Sequence, residues 1–185
     1  MKNTFTLILF IISSICLGQN QFIYNSNGLN PKHLITEIDN KSKTELYIST
    51  IDWIKDNYKN PDNVIKSTIE NNKIRFEGIN PKSYCENVLG MSNCFDIKYV
   101  IEVEFKDGKY KIEPIDLSAG NFPTYFPIKL DKGGSSVDNY YNKSGELKNP
   151  FKKIPTEIQN TLNNINKSIE DYILKGKNDT NNSDW

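Results

Sequence analysis

The chain has 185 residues, of which 37% are hydrophobic and 25% charged, and its 23 basic and 23 acidic side chains cancel to a formal net charge of zero. That length supports one sizeable core and argues against a second full domain. The cancelled charge removes the long-range field that would draw the protein to nucleic acid or an anionic membrane. Every basic residue but Arg75 is a lysine, and Asn and Ile are abundant; this bias reads as background rather than as the mark of a partner.

The first residues have the anatomy of an export signal. Lys2 supplies a positive start, residues 5–12 (FTLILFII) form a short apolar run, and Cys16-Leu17-Gly18 place small residues before Gln19. The run is too short to span a bilayer comfortably, and none like it follows. The expected signal is 1–18, and its removal takes only Lys2 among the charged residues. A lipid anchor on Cys16 is the rival reading, disfavoured because the preceding Ile15 is not small. The expected location is therefore the periplasm or the extracellular space, with an outer-membrane lipoprotein as the minority reading.

Residues 19–32 are polar, with Asn-Gly and Asn-Pro steps, and read as an extended leader. Residues 34–39 (LITEID) are a strand candidate. Ser42 then caps a helix, with Glu45 three residues later completing a capping box. Tyr47, Ile51, Ile54 and Tyr58 line one stripe of that helix, widened by Leu46, Thr50 and Trp53, while charged residues sit opposite. Trp53 therefore reads as core, and Pro61 is expected to end the helix. The period then changes to two. Ile65, Ser67 and Ile69 alternate with polar residues, turn at Asn71-Asn72, and return through Ile74, Phe76 and Gly78. This register sets Glu70 across from Lys73, Lys66 across from Glu77, and Ile69 across from Ile74.

Cys85 and Cys94 are the two cysteines left once Cys16 departs with the signal. An even pair a short loop apart in an oxidising space reads as a disulfide, worth roughly 2–3 kcal/mol on the chain-entropy model. A metal or redox site is the alternative, but no histidine stands nearby and the spacing is not Cys-x-x-Cys. A second hairpin follows. Phe95, Ile97, Tyr99, Ile101, Val103 and Phe105 take every second position, Asp107-Gly108 turns the chain, and Tyr110 and Ile112 return on the apolar face. Its other face sets Glu104 across from Lys111 and Glu102 across from Glu113. Residues 116–153 lose periodicity and form a loop too long for a plain connector. Residues 156–174 are a second amphipathic helix, with Ile158, Leu162, Ile165, Ile169 and Ile173 on a narrow stripe. Its other face is rich in Asn, a weak helix former, so docking must hold it. Residues 176–185 read as a mobile polar tail.

This element order, with ELYISTIDWIKDNY, NNKIRFEG, YVIEVEFKDGKYKIEP and the late amphipathic helix, resembles a bacterial, exported family: the domain of unknown function with a TBP-like fold, after the TATA-binding protein. The resemblance covers roughly residues 34–114 and, loosely, the final helix. It implies an α+β fold of order β-α-β-β-β-β-α, a curved antiparallel sheet with two helices packed on one face. The single TBP-like domain would run over 33–175 and include the long loop. The family name carries no activity, so no catalytic residue transfers.

The TBP likeness suggests nucleic acid, but the outward strand positions alternate lysine and glutamate rather than presenting a basic stripe, and the aromatics point inward. No nucleic-acid partner, cofactor or metal is expected. Glu102 and Glu113, opposed across a hairpin, are the one pair with a geometric case for acid–base work or calcium; the plainer reading is a solvated face. His33 has no nucleophile in view, and Gly133-Gly134 lack the lysine and setting of a phosphate loop. The long loop carries Phe122, Tyr125, Phe126, Tyr140 and Tyr141, many aromatics for an exposed segment. They either fold it back as a flap or anchor a partner. The expected function is a non-catalytic binding or assembly module of the envelope, contacting a protein or ligand through this loop or the free sheet face. The alternative is a small hydrolase-type enzyme using Glu102 and Glu113.

Overall fold

The computed structural model describes residues 21–88, 90–131, 140–148 and 151–176. The expected signal, Cys16, Gly133-Gly134 and the tail beyond Gly176 lie outside the described residues. Two short strands, β1 (Ile23–Asn25) and β2 (Gly28–Asn30), pair antiparallel. After β3 (Leu34–Glu37) come helix α1 (Lys43–Asn57), one short turn of helix α2 (Pro61–Val64), and β4 (Ile65–Ile69). Two long strands follow, β5 (Lys73–Val88) and β6 (Met91–Lys106), then β7 (Lys109–Asn121), β8 (Thr124–Ile128) and helix α3 (Ile154–Lys175). The main sheet runs β3-β7-β6-β5-β4, antiparallel throughout, with β8 also paired to β7.

The α1 capping box forms as expected: the Ser42 N–H donates to Glu45 Oε2 at 2.8 Å and the Glu45 N–H to Ser42 Oγ at 3.3 Å. A neighbouring unsatisfied N–H, that of Lys43, donates to Asp107 Oδ1 at 2.8 Å, so the β6–β7 turn also ties down the start of the helix. The buried stripe is rotated from the expected centre. Leu46, Thr50, Trp53 and Ile54 are buried, and Tyr47, Ile51 and Tyr58 flank them half-buried. The helix stops at Asn57, and Pro61 opens α2 instead of ending α1. Proline suits that first position because its missing N–H would have no helical partner anyway.

The β6–β7 hairpin has the expected register, with Phe105 opposite Tyr110, Val103 opposite Ile112 and Glu102 opposite Glu113. Beyond it, Pro114 pairs with Ile101 and Asp116 with Val100, which leaves Ile115 as an extra residue. Proline cannot donate to a ladder, and a bulge accommodates it. The first half of β7 pairs with β3 and the second half with β8. The β4–β5 hairpin departs from its expected register by one residue: Ile69 faces Lys73 and Thr68 faces Ile74. The turn takes three residues, Glu70 to Asn72, with Asn71 at φ 55° and the Asn72 N–H donating to the Ile69 carbonyl at 2.9 Å. Ile69 is consequently exposed on this edge strand rather than packed.

Both long helices lie on one face of the sheet. The α3 residues Ile158, Leu162, Ile165, Ile169 and Ile173 are all buried with Trp53 and Ile54 of α1 and with Ile74, Phe76, Ile101, Val103 and Ile112 of the sheet. The asparagines of α3 have specific partners. Asn166 is buried and accepts from the Tyr110 hydroxyl at 3.0 Å. Asn163 accepts from the Phe22 N–H at 2.8 Å and returns a hydrogen bond to the Phe22 carbonyl at 3.0 Å, while Gln159 accepts from the Tyr24 N–H at 2.8 Å. Residues 21–30 are therefore no extended leader. Phe22, Tyr24 and Leu29 are core residues, and the β1–β2 hairpin is fastened edge-on to α3. The long loop is also corrected at its start: residues 116–121 continue β7, 124–128 are β8, and Leu117 and Ile128 are buried.

Cys85 and Cys94 face each other across β5 and β6 and are joined, S–S 2.02 Å, next to the stacked rings of Tyr84 and Phe95. A Cys85→Ser/Cys94→Ser variant should unfold at lower urea, losing roughly 2–3 kcal/mol on the loop-entropy model. Two free thiols in the non-reduced protein, read by mass spectrometry, would refute the bond, and an unchanged urea midpoint would refute its contribution.

Candidate functional site

Three places on the molecule have a claim to function. The first is the sheet face turned away from the helices, where the charges meet in pairs. Glu77 lies 3.1 Å from Lys98 and 3.4 Å from Lys66, and Glu104 lies 3.1 Å from Lys111. Glu102 and Glu113 do sit opposite one another, but each is engaged elsewhere. Glu102, only 7% exposed, accepts from Lys73 Nζ at 3.0 Å and from Arg75 Nη2 at 2.7 Å, while Glu113 is 3.1 Å from Lys111. Burial alone would raise the Glu102 pKa; the hydrogen bonds from Arg75 and Lys73 outweigh it and hold the carboxyl below the usual range. A carboxylate kept ionised in this way is a poor general acid. Among the described residues no group of three or more His, Cys, Asp or Glu side chains is placed to hold a metal ion. His33 is exposed just ahead of β3.

The second is the set of five loop aromatics, which the fold separates. Phe122, at the β7–β8 turn, is 86% exposed, and Phe126 on β8 is 68% exposed. Tyr125 alternates away from Phe126, and its hydroxyl donates to Asp96 Oδ2 at 3.2 Å. Tyr140 packs half-buried on the core, and Tyr141 is buried with its hydroxyl donating to the Tyr24 carbonyl at 3.3 Å. Phe122 and Phe126 are thus the outward pair, whereas Tyr140 packs on the core and Tyr141 helps to hold the β1–β2 hairpin. Gly120 makes the β7–β8 turn tight: a Cβ there would collide with the Thr124 carbonyl oxygen.

The third is a cleft that sequence reasoning did not single out. The C-terminal half of α1, the middle of α3 and the adjoining part of β5 and β6 surround about 340 Å³ lined by Trp53, Asn57, Tyr58, Ile79, Asn80, Tyr99, Thr161, Asn164, Ile165 and Ser168. Its base is a cluster of edge-to-face rings: Trp53 lies 5.8 Å from Tyr58 and 5.7 Å from Phe76, and Phe76 lies 6.4 Å from Tyr99. Tyr99 crosses over Gly78, where a Cβ would collide with its ring, and so reaches the Tyr58 hydroxyl at 2.8 Å. Burial raises the pKa of both phenols, keeping them neutral donors. The period-two glycine in NNKIRFEG was the one available signal, because glycine in a strand marks a close approach.

Because the Glu102 carboxyl is held below its ordinary value, folding favours its ionised form. That stability is present above the unfolded carboxylate pKa near ~4.3 and is lost as pH falls through the lower folded value. Glu102→Gln should therefore cost about 1–2 kcal/mol at neutral pH, discounted because Lys73 and Arg75 are partly solvated. The gap from wild type in urea unfolding should close on acidification. A gap of the same size at every pH would refute the ion-pair account.

No curated protein sequence matches the chain. Two solved structures share its fold. A DUF4468 family protein from Bacteroides ovatus superposes with a TM-score of 0.60 at 15% identity, over 85% of this chain and 95% of the other. A TBP-like protein from Parabacteroides distasonis superposes with a TM-score of 0.53 at 18% identity, over 78% of this chain and 92% of the other. A family model described as "Domain of unknown function (DUF4468) with TBP-like fold" matches residues 34–119, from the start of β3 to near the end of β7. The antiparallel sheet with both helices on one face and the match over β3 to β7 lead to one conclusion: the chain has a TBP-like fold, and its residues 34–119 match the model of the DUF4468 family.

Proposed function

We propose that this protein is a non-catalytic binding module of the cell envelope, and that the tip of the β7–β8 hairpin is its contact with a partner protein. The observation that carries this reading is the exposure of Phe122 and Phe126 on a strand pair that is otherwise held fast. Leu117 and Ile128 anchor the hairpin in the core, and Tyr125 is tied to Asp96. Large rigid aromatics presented on such a frame lose little conformational entropy on docking, which is how interface anchors work. The hydrolase alternative loses its geometric ground because Glu102 is committed to Arg75 and Lys73. Nucleic acid is disfavoured by the pairing of lysines with glutamates on the open face. Export is supported by the apolar start of the chain and by the disulfide, a bond that persists in oxidising compartments. Among the described residues no helix is long and apolar enough to cross a membrane.

A photo-crosslinker at position 122 should capture one recurrent envelope protein in living cells. Purified and mixed with this protein, that neighbour should bind the Phe122→Ala/Phe126→Ala variant on the order of 30-fold more weakly, the effect of losing a hot spot. Equal binding by the two forms would overturn the proposed surface. Export has its own test: the mature protein should begin at Gln19 in the envelope fraction, whereas a cytoplasmic protein retaining residues 1–18 would refute it.

A further inference from the structure

We propose that the cleft between α1 and α3 is a binding site for a neutral, polyhydroxylated ligand, one or two sugar units of an uncharged glycan. It is independent of the hairpin tip. The volume of about 340 Å³ adjoins a second of about 380 Å³ that shares Trp53, Asn57, Asn164 and Ser168. Both lie within the usual range of small-molecule sites, about 300–1,000 Å³.

The lining decides the ligand class. Among the described residues no charged side chain lines the inner volume; its polar groups are carboxamides, hydroxyls and the Trp53 indole N–H. The Ser168 and Thr161 hydroxyls both act as acceptors toward neighbouring side chains. Ser168 Oγ accepts from Trp53 Nε1 at 2.9 Å, so its own O–H hydrogen is not used in that bond. Thr161 Oγ1 likewise accepts from Asn80 Nδ2 at 2.8 Å. The Tyr58–Tyr99 contact at 2.8 Å uses one of the two phenolic hydrogens. Acceptors complement these donors: Asn57 donates Nδ2 to the Trp53 carbonyl at 2.9 Å, which leaves its Oδ1 for a ligand, and Asn80 keeps its Oδ1 in the same way.

A charged ligand would find no countercharge in the inner volume and would lose hydration there without return. An apolar ligand would leave the hydroxyls and amides unpaired. A sugar satisfies both conditions, since each of its hydroxyls donates and accepts. Its C–H face has apolar partners in Ile79, an exposed isoleucine beside the cleft, and Ile165. Charged groups line the outer volume, where Lys167 lies 3.2 Å from Asp171 and Lys175 is exposed at the end of α3. The ring cluster beneath keeps the donors in place before anything binds, the condition for useful affinity from few contacts.

The test is NMR titration of the ¹⁵N-labelled, disulfide-intact protein with a panel of neutral disaccharides covering gluco-, galacto-, manno- and N-acetylglucosamine units. Uronic-acid and sugar-phosphate counterparts serve as comparison. At least one neutral member should shift the Trp53 indole N–H and the Asn57 and Asn164 amides saturably. Asn164→Ala and Ile79→Ala, both at solvent-exposed positions, should each weaken that binding about 5-fold or more. The Phe122→Ala/Phe126→Ala variant should bind as wild type. The proposal is overturned if no neutral sugar gives saturable shifts at the cleft, if only the charged counterparts bind, or if both cleft variants bind as tightly as wild type.

Discussion

The docking of α3 onto the sheet is the interaction on which everything else hangs. Its isoleucine and leucine stripe closes the core over the central strands, and it does so with side chains that leave almost no water contact. Among the described residues, the same helix holds the β1–β2 hairpin by side-chain amides, through Asn163 and Gln159. It also supplies Thr161, Asn164, Ile165 and Ser168 to the cleft wall. An Asn-rich helix has little stability of its own, so burial and these directed hydrogen bonds must supply it. A buried Asn166 accepting from Tyr110 fixes how the helix sits, since shifting it would strand a polar group in the core.

Most of the sheet is legible in the sequence because its signals agree at two levels. Between Phe95 and Ile112 the period-two pattern runs on both sides of an Asp-Gly turn, and the pairing that buries one face also matches charge on the other for Glu104 and Lys111. Where the signals are weak, the pattern points to the wrong register. Asn71-Asn72 suits a two-residue or a three-residue turn, and an edge strand with few buried residues gives no packing penalty to choose between them. Residues 21–30 look like a polar leader because only Phe22, Tyr24 and Leu29 enter the core, and their anchor lies on a helix more than a hundred residues later. Local pattern cannot see such a contact.

The candidate sites divide in the same way. The opposition of Glu102 and Glu113 is readable from register, but its chemical meaning depends on Arg75 and Lys73 reaching in from β5, which only the folded sheet reveals. The five aromatics of the long loop are one group by composition and two by structure. Phe122 and Phe126 face out, and Tyr141 turns in to the β1–β2 hairpin. The cleft leaves no local trace beyond Gly78, because its walls come from two helices and two strands that are far apart in the chain. This chain thus presents two surfaces of different character, an apolar tip and a neutral polar cleft.

Hydrogen exchange on a Leu162→Ala variant tests the central role of α3 most directly. Removing this fully buried side chain should cost about 2–5 kcal/mol. The amides of β1–β2, of α1 and of the central strands should lose protection together with those of α3, as one cooperative unit. If α3 alone became exchangeable while the β1–β2 hairpin and the sheet kept their wild-type protection, the helix would be an accessory to a core that stands without it, and its central role would be contradicted.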